Sequence, residues 1–255
     1  MTFSGPAGAY DRYMGRYSRP LAPLLADFAG VRPGQRALDV GCGPGALTAE
    51  LVGRLGVQQV AAADPSDGFA AACAERLPGV DVQAAPAERL PWPSGAFGAV
   101  LSQLVVSFLS DADTAVGEMR RVARRGGVVA ACSWDYGGEM QMLRTFWDAA
   151  LSLDPAVPDE ARVLRYTDAD SLRELWRRAG LGDVATTELV VAVDYDDYED
   201  FWQPFLTGTG PAGAYCISLG DAHRGALRDE VFRRLGAPAG PFTLTARAWA
   251  VRGTA

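Results

Sequence analysis

The sequence predicts an α/β fold built on a doubly wound, mostly parallel, seven-stranded sheet, with an antiparallel C-terminal edge hairpin and helical cap insertions. Three observations predict it. Short apolar runs alternate with amphipathic stretches through the first half of the chain, the pattern of parallel strands covered by helices on both faces. The first apolar run ends in a glycine-rich turn, Gly41-Cys42-Gly43-Pro44-Gly45. Two more strand-like runs come late, separated by a long insertion without a crossover pattern.

In order, the first helix is expected from about Ser18 to Phe28, because Leu21, Leu24, Leu25 and Phe28 form one apolar stripe and Pro20 suits a first turn. Val31-Arg32-Pro33-Gly34 breaks the chain before the strand Ala37–Val40. Leu47, Leu51 and Leu55 stripe the next helix. A second strand, Gln59 to Ala63, ends at Asp64, and Phe69, Cys73 and Leu77 mark the helix after it. Val80 to Ala84 and Phe97 to Leu104 supply the third and fourth strands. Val116, Met119 and Val122 face one side of a helix expected to end at Gly126-Gly127, before a fifth strand from Val128 to Trp134. Met140 to Leu151 reads as helix, and Asp168 to Ala179 as an amphipathic helix stopped by Gly180. Val184 to Val193 and Phe242 to Val251 alternate like strands. Right-handed crossovers place the ligand crevice of such a sheet at the carboxyl ends of its strands.

Residues 196–241 are too long for a hairpin loop. Together with residues 135–167 they are expected to cap the crevice, with helical stretches near Tyr198 to Leu206 and Asp221 to Leu235. No internal repeat or low-complexity linker divides the chain. One domain is expected over residues 1–255, with residues 1–30 as an N-terminal lid and helix and 31–134 as the cofactor-binding half.

Composition excludes several classes. All 24 basic residues are arginine, so neither a lysine Schiff base nor a lysine general base operates here. A net charge of −7, with arginines dispersed over helical faces, argues against a nucleic-acid surface and for a small-molecule partner, neutral or cationic. Cys42, Cys73, Cys132 and Cys216 lie far apart without a CxxC, which gives neither a zinc site nor a disulfide framework. No apolar run approaches the ~20 residues of a membrane-spanning helix. Met1 to Tyr10 lacks the basic and apolar regions of a signal peptide, so a cytoplasmic location is expected. Sequence leaves monomer and homodimer open.

The glycine turn carries the first chemistry. Without Cβ atoms a ligand approaches the backbone closely, and N–H groups at the helix start are expected to face an anion or carboxylate. A dinucleotide fingerprint, GxGxxG, is the rival, but here the third glycine falls one residue early and Pro44 removes one N–H. Asp64, about 20 residues after the turn, is placed to accept both hydroxyls of a ribose. Its alternative role is to cap the helix that begins near Ser66.

Leu38-Asp39-Val40-Gly41-Cys42-Gly43-Pro44-Gly45 resembles motif I of the class I S-adenosylmethionine-dependent methyltransferases. Ala87-Glu88-Arg89-Leu90-Pro91-Trp92 with Ser94-Gly95-Ala96-Phe97 is similar to a stretch of their ubiquinone/menaquinone-biosynthesis-like (type 11) branch. Ser102-Gln103, Glu118-Met119-Arg120-Arg121-Val122 and Gly126-Gly127 continue that likeness in order, over about Tyr10 to Trp134. The resemblance implies a Rossmann-like fold, S-adenosyl-L-methionine (SAM) as cofactor, and methyl transfer to a small-molecule acceptor. It implies that Gly41, Cys42 and Gly43 line the methionine and ribose portion, with Asp39 supporting the amino group. Asp64 would hold the ribose, Pro65 lie against adenine, Ala87 and Glu88 bind adenine, and Gln103 sit under the methionine portion. Arg16, in the lid-like stretch with Tyr10 and Tyr13, would pair with the SAM carboxylate or face solvent. Pro86 and Gly98 depart from the branch, which often carries Asp at both places.

Methyl transfer from a sulfonium needs chiefly in-line positioning, worth roughly 7–11 kcal/mol of a barrier. An acceptor hydroxyl, amine or activated carbon also needs a base. The sole histidine, His223, precedes Leu227 and Val231 at intervals of four on an expected cap helix, where it is either a packed core histidine or that base. The run Asp194 to Asp200 lacks the glycine and spacing of a calcium loop, so it reads as an acidic helix start and no metal is expected. Trp134, Tyr136, Trp147, Trp202, Phe205 and Tyr215 are expected to pack the cap, some of them around an apolar acceptor pocket. The competing functional readings are a SAM-binding enzyme of non-methylating rearrangement or cyclisation, and a SAM-binding protein without activity.

Overall fold

The computed structural model describes residues 7–255. Seven strands form one sheet in the order β3-β2-β1-β4-β5-β7-β6. They are β1 (Ala37–Val40), β2 (Val60–Asp64), β3 (Asp81–Ala84), β4 (Phe97–Gln103), β5 (Ala123–Trp134), β6 (Gly182–Tyr195) and β7 (Phe242–Thr254). The pairs from β3 through β5 are parallel, whereas β7 runs antiparallel to both β5 and β6. The chain winds outwards from β1 to β3, then returns to the other side of β1 as β4. The switch point of the sheet therefore lies between β1 and β4.

Helices α1 (Ala7–Tyr10), α2 (Arg16–Phe28), α3 (Ala46–Leu55), α4 (Asp67–Arg76), α5 (Ala112–Val122), α6 (Gln141–Leu153), α7 (Glu160–Val163), α8 (Ala169–Arg178), α9 (Tyr198–Trp202), α10 (Gly210–Ser218) and α11 (Asp221–Arg234) surround it. A π-helical turn, Asp11–Gly15, joins α1 to α2. Side-chain alternation divides the interior by sheet face. Ala37, Ala99, Leu101, Ala130 and Cys132 face α2, α3 and the cap aromatics. Leu38, Val40, Val100, Val129 and Ala131 face α5 and α8, where Trp176 donates to the Val129 carbonyl at 3.0 Å.

Several boundaries differ from expectation for identifiable reasons. Helix α5 ends at Val122 and β5 begins at once, because Ala123 pairs with Phe97 and the strand runs through Gly126-Gly127. Gly98 lies where the β4–β5 register shifts, and its N–H shares the Arg36 carbonyl with that of Ala99. Helix α10 lies between the two helical stretches expected in the cap; Pro211 stands in its first turn, where a missing N–H costs nothing. The acidic run is used structurally. Asp197 caps α9 through the Asp200 N–H at 2.9 Å, and Asp200 pairs with Arg16.

Candidate active site

A cavity of about 330 Å³ opens at the carboxyl ends of β1, β2, β4 and β5, across the switch point. That volume lies at the lower end of the ~300–1,000 Å³ of small-molecule sites. Gly41 and Gly43 meet it from the β1 turn, Asp64 and Pro65 from β2, Gln103 and Leu104 from β4, and Trp134 and Tyr136 from β5. Tyr10 and Met14 close it from the N-terminal segment.

The glycine turn is built for close approach of backbone to neighbour. Gly41 has φ +77°, and a Cβ there would stand 2.4 Å from Val105 Cγ2. Gly43 has φ +52°, and a Cβ there would enter open space at the cavity edge. The expectation that the turn's N–H groups face an anion is corrected. Gly41 and Cys42 both donate to the Ala63 carbonyl, at 2.7 and 2.9 Å, Gly45 donates to Cys42, and Gly43 donates to Asp64 Oδ2 at 2.9 Å. With those donors bonded internally, the turn is no cradle for a pyrophosphate.

Asp64 is not the helix cap. Ser66 caps α4, while Asp64 Oδ1 accepts the Ser66 N–H at 2.9 Å. Each Asp64 oxygen accepts one hydrogen bond and has capacity for another, and the residue lines the cavity. Burial raises its pKa, and the two backbone donors oppose that rise. Asp39 lies behind the turn: Oδ2 accepts Thr48 Oγ1 at 2.7 Å, and burial pushes its carboxyl up to about 7. Its Oδ1 is buried without a hydrogen-bond partner among the described residues, as is Gln103 Oε1, whose amide donates to the Ser18 carbonyl at 2.9 Å. Two orphaned acceptors behind and within the cavity, and open space beside Gly43, fit a ligand carrying an ammonium group and hydroxyls.

The structure brings Gly41, Gly43, Asp64, Pro65 and Gln103 together in the lining, and leaves other expected residues outside it. Cys42 turns away to pack with Ala62 and Cys73. Ala87 is buried in the core of the opposite sheet face, and Glu88 stays outside the lining. Arg16 is corrected: its guanidinium meets both Asp200 carboxylate oxygens at 3.0 and 3.1 Å and stacks on Tyr195, 4.5 Å from the ring centre. A carboxylate partner and an aromatic face hold it away from the cavity. His223 is corrected too. It is exposed in the first turn of α11, whereas Leu227 and Val231 further along the helix are buried.

Sequence reasoning missed much of the wall opposite the glycine turn. Met14, Leu104, Phe108 and Leu109 join Trp134 and Tyr136 there, and Val105 lies beside Gly41 itself. Leu104 takes φ +64°, rare for a branched side chain, directly after β4. Trp134 Nε1 donates to Met14 Sδ at 3.2 Å, tying the N-terminal segment to β5. Of the expected cap aromatics, Trp147, Trp202, Phe205 and Tyr215 pack around Phe146, with Phe205 stacked on it at 4.6 Å.

Comparison with known proteins places this geometry in a family. Residues 38–131 match the family described as methyltransferase domain. An uncharacterized protein of Mycobacterium tuberculosis is 31% identical over 214 residues, covering 80% of this chain and 74% of that one. Demethylmenaquinone methyltransferase of Beutenbergia cavernae is 34% identical over 166 residues, 60% of this chain and 68% of its own. The fold is shared with phosphoethanolamine N-methyltransferase 2 of Haemonchus contortus, solved with phosphomonomethylethanolamine and S-adenosylhomocysteine. The TM-score is 0.60 at 17% identity, covering 97% of this chain and 56% of that one. The chain belongs to the class I SAM-dependent methyltransferases. It is an enzyme, and its methyl donor is SAM. No helix among the described residues is long and apolar enough to cross a membrane.

Proposed function

We propose that the protein methylates a small, largely apolar acceptor, aromatic or lipid-like, at the carboxyl-terminal end of β4 and β5. The observation that carries this reading is the asymmetry of the cavity. The glycine turn, Asp64, Ser66 and Gln103 bring polar groups to the lining, while Met14, Leu104, Phe108, Leu109 and Trp134, with the Tyr136 ring, make an apolar stretch. Apolar walls with few polar groups suit apolar ligands.

In this reading Asp64 takes the ribose hydroxyls on its two free lone pairs. Gly41 and Gly43 admit the methionine and ribose portion, Pro65 lies against adenine, and Gln103 holds the methionine portion through Oε1. Asp39 supports the amino group from behind the turn. SAM supplies a methyl group on a sulfonium; the chain's part is to seat the acceptor and exclude water. Residues 1–30, of which the first six lie outside the described residues, act as the lid of a single domain, with 135–167 and 196–241 as its cap. Asp11 secures the lid, pairing with Arg76 at 2.6 Å and Arg19 at 3.0 Å, while Arg76 also donates to the Pro44 carbonyl. Tyr10 adds an edge-on contact with Phe69.

Calorimetry with S-adenosylhomocysteine, followed by toluene and 4-methylphenol on the saturated protein, tests the reading. Binding of S-adenosylhomocysteine with toluene and 4-methylphenol both excluded would overturn the apolar acceptor. Release of S-adenosylhomocysteine during turnover separates methyl transfer from a rearrangement on bound SAM.

A further inference from the structure

The end of the sheet away from the active site carries an arginine corner. Along the chain the arginines look dispersed over helical faces, but α5 stops at Val122 and β5 starts at Ala123 with no loop between them. Arg120 and Arg121 at the end of the helix therefore stand beside Arg124 and Arg125 at the start of the strand. A cavity of about 470 Å³ opens at this corner, lined by Arg120, Arg121 and Arg125 with Gly117, Ala123 and Ala255. Trp134, at the other end of β5, belongs to the active-site cavity. The two cavities thus occupy opposite ends of one strand.

The three arginines differ in how they are held. Arg121 is spent on structure: Nε and Nη2 meet the Glu118 carboxylate at 2.6 and 2.8 Å, while Nη1 and Nη2 donate to the Trp92 and Leu90 carbonyls at 2.9 and 3.0 Å. Arg120 and Arg125 are exposed, and neither guanidinium makes an ion pair or hydrogen bond among the described residues. No aspartate or glutamate lines the cavity beside them, and the Ala255 oxygen is taken by the Gly126 N–H at 2.8 Å. Gly180, at φ +75°, leaves room for Arg120, whose Nη1 would meet a Cβ there at 3.1 Å. The dipole of α5 accounts for a cation in its last turn, and so for Arg120, but not for Arg125 on the strand. In a chain of net charge −7, two positive charges share one hollow with nothing to balance them. Like charges held together repel, and a bound anion removes that cost.

We propose that this corner binds a phosphate dianion, free or carried as a monoester by a small molecule, at a site separate from that of methyl transfer. A phosphate monoester carries a charge of about −1.5 to −2 near pH 7 and three strong acceptor oxygens, which matches two unbalanced guanidiniums. Planar guanidinium forks pair bidentately with such oxygens. The phosphate lies between Arg120 on the helix side and Arg125 on the strand side, with Arg121 as the fixed floor. The rest of an ester has room towards Gly117, where a Cβ would meet nothing within 4 Å. Arg124 stays outside the lining, because successive side chains of a strand point to opposite faces.

The test is calorimetry at low ionic strength on the full chain, saturated with S-adenosylhomocysteine so that the active site is filled, with inorganic phosphate and phenyl phosphate as probes. One phosphate is expected to bind per chain with a Kd of about 1 mM or below, the scale of two charge-assisted pairs. Arg120→Gln and Arg125→Gln each weaken it about tenfold, and the double variant abolishes it. Arg124→Gln removes the same charge one residue away, outside the lining, and changes the affinity by less than about twofold. Unchanged S-adenosylhomocysteine affinity and melting temperature show that each variant is folded. Binding of both probes assigns the site to a phosphate ester; binding of phosphate with phenyl phosphate excluded assigns it to free phosphate. No binding of either probe at about 10 mM overturns the site. Equal losses in Arg124→Gln and Arg125→Gln overturn it too, because the attraction is then diffuse surface charge.

Discussion

The two sides of the cavity are built differently. The side proposed for the donor is made by Asp39 to Ser66, two adjacent strand ends joined by one helix; backbone N–H groups hold Asp64 and the turn at 2.7–3.0 Å, and the Thr48 hydroxyl holds Asp39 at 2.7 Å. The side proposed for the acceptor gathers Met14, Leu104, Phe108, Leu109, Trp134 and Tyr136 from distant parts of the chain, and packing holds most of them. A backbone-built site tolerates little change in any residue, whereas a packed wall can be reshaped one side chain at a time. Under the proposed assignment, a fixed donor side and a replaceable acceptor side follow from how each wall is held.

The sharpest way to break this contrast is at Asp64. Asp64→Ala removes two charge-assisted hydrogen bonds worth about 1.5–3 kcal/mol each, so S-adenosylhomocysteine affinity measured by calorimetry falls by at least about a hundredfold. Gly41→Ala comes next. A Cβ 2.4 Å from Val105, at φ +77°, costs about 1–3 kcal/mol in thermal or denaturant unfolding. Adding Val105→Ala recovers the part due to the clash, and full recovery would show that the backbone angle itself carries no cost.

A third prediction concerns pH and stability on the acceptor side. Glu160, buried at the start of α7, ionises near its ordinary pKa of 4.5 when unfolded and, pushed up by burial, at about 7 when folded. The folded state therefore holds the proton more tightly. Its contribution is fully present below about 4.5 and is lost as pH rises through about 7. Glu160→Gln should show a smaller fall in melting temperature between about pH 5 and about pH 8 than the wild type, a difference of a few kcal/mol in stability. Identical falls in both proteins would remove Glu160 as a titrating group. The smallest effect is expected at His223. His223→Ala, in the exposed first turn of α11, should change unfolding free energy by no more than about 0.5 kcal/mol and leave S-adenosylhomocysteine affinity unaltered.

The same contrast explains what could be read in advance. Strand order and the donor side were legible because glycine, aspartate and strand end follow one another within one βαβ unit, so spacing along the chain maps onto spacing in the site. Arg16 and His223 were not. An arginine's partner depends on which distant helix arrives beside it, here the one carrying Asp200, and spacing on a helix does not say where its neighbour ends. Glu160 carried no signal at all. A four-residue helix has no periodicity to detect, and Glu160 stands out only once Trp147 donates to it and Arg144 pins the neighbouring Asp159.

The N-terminal segment touches both walls at once. Tyr10 leans on Phe69 on the donor side, Met14 receives Trp134 on the acceptor side, and Ser18 holds the Gln103 side chain between them. One helix pinned at both walls makes the two sites thermodynamic neighbours. Whatever factor occupancy of one adds to the affinity of the other must be returned in equal measure. Asp11, which ties this segment to Arg76 and Arg19, is then a position from which both affinities can be shifted together without a change in either wall.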